Sequence, residues 1–432
     1  MCLERAHTIF GVKRSNSEKN ICKFCGNNPV PHFVYWYFES LNILLSPLRQ
    51  FLLKIFSFIK LPYFSKFFVG LGSALGVISF QDDINKCKVE RAKVLWEEAA
   101  HRGIKMRELL LFGKPFDVYT AEKSEIRNQK SEIIFSGLPR PENINRAALD
   151  VMDDKAVLKK KFLKAGLPVP NGGSGWNFLQ AKKIFEEIAR SAPIHRLTEK
   201  PTSLSRTPIR DGHATVIVKP RAGSRGRHST TYVSSLADLK QAYKVAKQLC
   251  FWVVVEEQLF GPVYRATVIN YELCGVLRGD SPQVTGDGDH SIEQLIELKN
   301  QQPHSGVKDI VVDENIKIFL SRQNLSLLSV VAKGLTINLS EKVGVNYGGS
   351  SSEDFEICHP ENKELFERAA KVVNDPIIGF DFIIPDITKS WKEQKCGFLE
   401  ANSLPFINLH HNPLLGTPRN VAAKVWNMVD FR

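Results

Sequence analysis

The sequence predicts a mixed α+β protein of two or three domains headed by an apolar helical segment, and three observations carry that expectation. At about 150 residues per domain, 432 residues make two or three units, and 43% hydrophobic content is enough to bury their cores. Strand-like apolar runs crowd residues 215–277 and return at 380–384 and 397–400, whereas helical patterns hold 85–103, 155–165 and 178–192. Residues 1–80 carry nine Lys or Arg against three Asp or Glu, and 11 of the 27 phenylalanines, which sets them apart from the rest. The expected organisation is a basic, Phe-rich helical segment (1–80), a small α/β unit (81–150) and a main domain (151–432).

The segment Phe33–Phe80 is apolar but interrupted by Glu39, Arg49, Lys54, Lys60 and Lys66. Its longest late charge-free stretch, Phe67–Gln81, falls short of the roughly 20 apolar residues that a spanning helix needs. Within Leu48–Ile59 the apolar positions make a helical face flanked by snorkelling lysines, which suits an interfacial membrane helix or a helix docked on another domain. Upstream, Cys22 and Cys25 with His32 begin a zinc-type pattern that lacks a fourth ligand in the sequence; Cys2 and His7 are the nearby donors, and free thiols are the alternative.

In order along the main part, a helix covers the 85–103 region, and short strands are expected at 108–112, 116–119 and 133–135. Asp154-Lys155 opens a helix that Gly166 ends before Pro168 and Pro170. A further helix spans about 178–192, and the polar, proline-containing stretch 193–213 reads as a loop or insertion. Strands follow at 215–219, 230–233, 252–256, 264–269 and 272–277.

Total charge, 58 basic against 46 acidic residues for a net +12, favours anionic partners. Nucleic acid is not expected among them, because the aromatics of 33–80 sit among aliphatics and not beside basic residues on an open sheet. Eight scattered cysteines and an amino terminus without a charged-then-apolar leader pattern point to a reducing, cytoplasmic setting, with peripheral contact at the inner face of a membrane through residues 33–80 as an added expectation.

Two clusters carry chemistry. Val216-Ile-Val-Lys219-Pro220 delivers a strand-end lysine beside Arg221-Ala-Gly223-Ser224-Arg225-Gly226-Arg227, and glycine lets backbone N–H groups approach phosphate oxygens closely. Farther on, Glu400 and Asn402 share one side of a strand, and Asp381 comes from a neighbouring one. These oxygen donors suit magnesium, with manganese as a substitute, and magnesium usually completes its shell with phosphate.

With these residues in view, the chain resembles the ATP-grasp superfamily, and within it the ligase domain of cyanophycin synthetase and of bifunctional glutathione synthetase. The resemblance rests on Asp154-Lys155 with Ala165–Pro170, Val218-Lys219-Pro220 with its loop, Val255–Arg265, Val284-Thr-Gly286-Asp287-Gly288-Asp-His290-Ser-Ile292, Gly379-Phe-Asp381 and Leu399-Glu400-Ala-Asn402, and it spans about 150–426. It implies two α+β subdomains gripping ATP, preceded by a small α/β unit. It also implies an enzyme that phosphorylates a carboxylate with ATP and lets an amine attack the acyl phosphate. By that resemblance Lys155 and Lys219 hold phosphates, Gly223, Ser224 and Gly226 cover them, and Glu256, Glu257 and Leu259 line the adenine. Asp381, Glu400 and Asn402 bind one or two Mg²⁺, and Arg278 steadies the transferring phosphoryl. Arg227, Asn346, His410 and His411 are the expected substrate contacts.

The sequence departs from the family at Val263, where an acid usually holds the ribose. It also departs at Phe406, at Asn408 before His410 and at Ser340, all toward the acceptor side. The expected activity is therefore amide or peptide bond formation on an amino acid or short peptide, with an altered acceptor pocket. A non-catalytic ATP-binding module, attached to a membrane surface, is the alternative.

Overall fold

The computed structural model describes residues 21–22, 26–27, 31–55, 62–124, 130–144, 148–191, 215–223, 226–302, 306–340 and 342–429. The expected loop at 193–213 lies outside them. Among the described residues, three larger antiparallel-rich sheets with helices packed on them, and two two-stranded ones, make the mixed α+β architecture that the apolar patterns predict.

The amino-terminal helix His32–Ile55 lies on the rest of the protein along one side. Tyr35 is buried against Leu249, the Ser40 hydroxyl accepts the Phe251 N–H at 2.9 Å, and the Arg49 Nε donates to Asp150 at 3.0 Å. Phe33, Tyr37, Leu44, Leu48 and Phe51 are exposed, and at 100° per residue they fall within about 60° of one another; Tyr35 and Arg49 lie away from that row, and buried Ser40 borders it. The two destinations weighed for this segment, protein or lipid, thus both have residues on this one helix. Among the described residues no helix is long and apolar enough to cross a membrane.

The next sheet has strands Ile78–Gln81, Ile104–Leu111, Lys114–Ser124 and Lys130–Phe135 in that spatial order. Its first strand pairs Ile78 with Leu111, so the sheet draws on residues before the expected boundary at 80. The strands outrun the expected short runs because their outer faces carry charge: Lys105 is exposed between buried Ile104 and Met106, and the Arg107 guanidinium meets Glu122 on the neighbouring strand. Helix Glu90–His101 covers the inner face. This unit shares a core with the main domain. Trp96, Phe135, Ile269, Ile377 and Trp426 belong to one buried cluster, the Trp426 Nε1 donates to the Leu95 carbonyl at 2.9 Å, and a fully buried ion pair joins Arg140 to Asp375 at 2.6 Å.

Two further sheets frame the site. The four-stranded sheet runs Gly172–Gly175, Val253–Glu257, Val216–Pro220, Thr230–Val233 and is backed by helices Phe178–Ser191 and Leu236–Ala246. The six-stranded sheet runs Gly397–Asn402, Ile377–Ile383, Val263–Ile269, Glu272–Gly279, Ser351–Glu353, Leu415–Gly416. Helices Lys155–Lys164 and Pro360–Val373 bury its inner face around Phe162, Phe366, Phe380, Phe382 and Phe398. Asp154 caps the first of these helices by accepting the Ala156 and Val157 N–H groups at 3.0 and 3.2 Å, and Gly166 ends it at φ +66.

Candidate active site

The cationic wall is built where the 155–164 helix meets the four-stranded sheet. Arg221, just past the strand Val216–Pro220, grips the capping carboxylate of Asp154 with two hydrogen bonds of 2.8 and 2.7 Å, a bidentate pair that fixes helix against strand. That clamp brings the Lys155 and Lys219 ammonium groups into one space. Lys155 Nζ donates to the Gly223 carbonyl at 2.5 Å and stands 3.8 Å from the Glu400 carboxylate. Lys219 is buried, and its ammonium pairs with Glu256, whose other oxygen pairs with Lys159. Burial, then the nearby Lys155 charge, push Lys219 down to about 7, with Glu400 opposing; the ion pair with Glu256 acts in the same sense as Glu400. Burial, followed by Lys219, also holds Lys159 well below the ordinary lysine value.

The anionic wall is a cross-strand row on the six-stranded sheet. Arg265 pairs in register with Asp381, and Asp381 with Glu400, so these three side chains emerge on one face of three adjacent strands. A register shift just after Asp381 re-aims the chain there, a common device beside functional sites. Arg265 Nε donates to Asp381 at 3.1 Å. Burial raises the Asp381 pKa, but Arg265 and hydrogen bonds from Glu400 and Asn402 outweigh it and hold the group below its usual value. Burial, with Asp381 adding to it against Lys155, pushes Glu400 up. A pair of carboxylates driven apart in this way is short of positive charge. Together with the Asn402 amide they form a hard oxygen donor set that fits Mg²⁺ or Mn²⁺.

Several expected residues stand elsewhere. Glu256 turns its carboxylate to Lys219 and Lys159 and is fully buried, because a buried acid between two ammonium groups has no better partner; its side chain is therefore not an adenine ligand. Glu257 accepts the Asn171 N–H at 3.0 Å and pairs with Lys395 at 2.6 Å, fastening the segments that lead into the strands Gly172–Gly175 and Gly397–Asn402, and Leu259 is buried. Arg278 lies opposite Tyr264, one residue out of step with Arg265, which puts it on the other face of the sheet from Asp381, where it pairs with Asp280 at 2.7 Å. Arg265, which the sequence reading quoted only as part of a motif, is the arginine on the carboxylate row. The pairing of strand 263–269 with 377–383 is the signal that finds it.

His410 is fully buried, with Nε2 2.7 Å from the Thr267 hydroxyl and Nδ1 2.6 Å from Glu353, so it is a core residue and not a substrate contact. A Cβ on Gly275 would come within 2.4 Å of that ring, which is why glycine stands there. His411 accepts the Ala422 N–H through Nε2 at 3.1 Å, at the start of the last helix. Arg227 donates to the Tyr35 hydroxyl at 2.9 Å and lies 4.8 Å over its ring, binding the amino-terminal helix. Gly223 and Gly226 flank the loop at φ +103 and +62, which favour glycine. Ser224 and the Asn346 side chain lie outside the described residues.

No protein-family model matches the chain. The chain is 30% identical over 290 residues to cyanophycin synthetase of Crocosphaera subtropica, covering 65% of this chain and 31% of that protein. It is 28% identical over 287 residues to a glutathione biosynthesis bifunctional protein of Clostridium perfringens, covering 65% and 34%. The crystal structure of a bifunctional glutathione synthetase from Pasteurella multocida superposes with a TM-score of 0.52 at 22% identity, over 79% of this chain and 43% of that one. The chain thus spans about a third of the length of the curated relatives it matches. Its fold is the α+β ATP-grasp fold, and its sequence is related to the ATP-grasp superfamily.

Proposed function

We propose that the chain is an ATP-grasp carboxylate–amine ligase that forms an amide or peptide bond on an amino acid or short peptide through an acyl phosphate. The observation that carries this reading is the meeting of the two walls. Lys155 touches the loop carbonyl of Gly223 and stands 3.8 Å from Glu400, so cations for phosphate and oxygens for metal share one space. Lys155 and Lys219 hold ATP phosphates under the 223–226 loop, and Asp381, Glu400 and Asn402 hold the metal. When bound, Mg²⁺ supplies positive charge to the phosphates as the γ-phosphoryl group leaves. Arg265 fixes the Asp381 carboxylate for that work. No nucleophilic side chain is required, because the substrate acid is the nucleophile in the first step and the amine in the second.

The same reading places the protein in the cytoplasm, with the exposed row Phe33, Tyr37, Leu44, Leu48 and Phe51 in contact with a membrane surface. Screening amino acids and dipeptides in pairs for ADP release, with product mass, tests the ligase. A pair that releases ADP and yields a product lighter than the summed substrates by one water is expected. Tight ATP binding with no ADP release from any pair would leave a nucleotide-binding module in its place.

A further inference from the structure

Beside the glycine loop, outside the residues assigned to nucleotide, three side chains from distant parts of the sequence converge. Cys22 ends one strand of the small hairpin that pairs it with Gly26, His32 is the first residue of the helix His32–Ile55, and His228 lies in the turn after Gly226. Cys22 Sγ and His228 Nε2 are 3.5 Å apart, the His32 and His228 rings meet edge to face with centroids 4.6 Å apart, and one donor atom from each residue lies within 4.8 Å of the others. Tetrahedral zinc with bonds of about 2.0–2.3 Å sets its donors about 3.3–3.8 Å apart, so side-chain shifts of about 1 Å close the group on an ion.

The support around the donors is also that of a metal site. His228 is only 1% exposed, and its Nδ1 lies 2.8 Å from the Val245 carbonyl. That contact fixes the proton on Nδ1 and aims the Nε2 lone pair into the cluster, as the outer-shell partners of metal-bound histidines do. A thiolate with two imidazoles is a borderline-soft donor set, suited to zinc and unsuited to magnesium or calcium. In the sequence only Cys22, Cys25 and His32 make the pattern, with Cys2 and His7 as the nearby further donors. The structure finds a donor 206 residues from Cys22. Cys2, His7 and Cys25 lie outside the described residues.

We propose that Cys22, His32 and His228 bind a structural zinc ion that fastens the amino-terminal hairpin and helix to the glycine loop, a fourth donor from water or protein completing the tetrahedron. The ion sits two residues beyond Gly226 and next to the Arg227–Tyr35 contact, so it anchors the carboxyl-terminal end of the loop to a segment outside the sheets. It does not depend on which reaction the site performs.

The test is metal analysis of the full-length chain, purified under reducing conditions, supplied with zinc and dialysed. About one zinc per chain is expected, falling below about a tenth in Cys22→Ser and in His32→Gln. Cobalt added to the metal-free wild type should produce a sulfur-to-cobalt charge-transfer band in the near ultraviolet, and this reading stands even if a variant fails to fold. Wild-type protein that retains no zinc and gives no such band, or folded variants that keep full zinc, would overturn the proposal.

Discussion

Two clusters of ligand-bearing side chains differ here in both chemistry and support. Asp381, Glu400 and Asn402 are hard oxygen donors on paired strands of a six-stranded sheet, and every residue of Ile377–Ile383 is buried. Cys22, His32 and His228 are softer donors carried by a two-residue strand, a helix start and a turn. Backbone register holds the first group together whether or not anything binds. The second group exists only when three separate segments have already met, so binding there and docking of the amino-terminal segment are one equilibrium. The contrast separates a part of the molecule built for fixed geometry from a part whose position a ligand can set.

The largest effect should come from breaking the rigid cluster. Asp381→Ala and Glu400→Ala are each expected to lower Mg-dependent ADP formation at least a hundredfold, on the order of what one well-placed electrostatic group contributes, with far-ultraviolet circular dichroism unchanged. Full turnover in the double variant would remove the metal from this row. Lys219→Gln comes next, with ATP affinity expected to fall about tenfold to a hundredfold, as for a charged hydrogen bond of about 1.5–3 kcal/mol.

Its pH dependence follows from the depressed Lys219 pKa, about 7 against an ordinary 10.5. Between those values the unfolded chain carries the proton and the folded protein does not, so this group makes stability rise with pH across that window. Phosphate favours the ammonium form, so ATP binding should take up a proton above neutral pH and weaken as pH rises. Calorimetry at about pH 8 in two buffers of different ionisation enthalpy should show that uptake in the wild type and none in Lys219→Gln. Equal uptake in both would assign the titration to another group.

The sheet-borne half of the molecule was the legible half. Strand alternation alone puts Glu400 and Asn402 on one side, because a fixed period of two needs no knowledge of tertiary contacts, and the expectation that a neighbouring strand supplies Asp381 is met by its register with Glu400. What escaped depended on pairing across long separations. The sequence points to Arg278, and only the register of 263–269 against 377–383 puts Arg265 on the carboxylate row instead. His410 reads from the sequence as a substrate contact, yet Glu353 and Thr267, both remote in sequence, draw it into the core.

The run Val284–Ile292, one of the marks of the family resemblance, leaves the strand Gln283–Thr285, turns and enters the helix Ile292–Asn300: in the turn Asp287 accepts the Asp289 and His290 N–H groups at 2.9 Å, and Gly288 adopts φ +93. Its conspicuous sequence reflects backbone geometry as much as chemistry.

The tethered half invites a test on its exposed side. If the row Phe33, Tyr37, Leu44, Leu48, Phe51 meets lipid, the full chain should float with anionic vesicles at low salt and less at high salt, since each basic residue near the surface adds about 1 kcal/mol. Leu44→Glu with Leu48→Glu should weaken vesicle partitioning at least about a hundredfold, given about 1.5–3 kcal/mol for burying each leucine, while ATP binding stays unchanged. Vesicle-independent behaviour of the wild type would leave that face to another partner.

The smallest expected effect joins the two regions. His228 follows Gly226, and Arg227 lies on Tyr35, so if the proposed zinc and nucleotide assignments both hold, releasing the hairpin by Cys22→Ser should loosen the carboxyl-terminal end of the glycine loop. Re-ordering one loop side chain costs roughly 0.5–1.5 kcal/mol, which predicts a rise of about twofold to tenfold in KM for ATP. The donors of the oxygen row and Arg265 sit in the six-stranded sheet and do not move with the hairpin, so kcat should change less than twofold, roughly the level at which surface substitutions are felt. Steady-state kinetics separate the two outcomes. A fall in kcat matching that of Asp381→Ala would mean that the tether and the sheet are a single mechanical unit, and an unchanged KM would mean that the loop keeps its place without the tether.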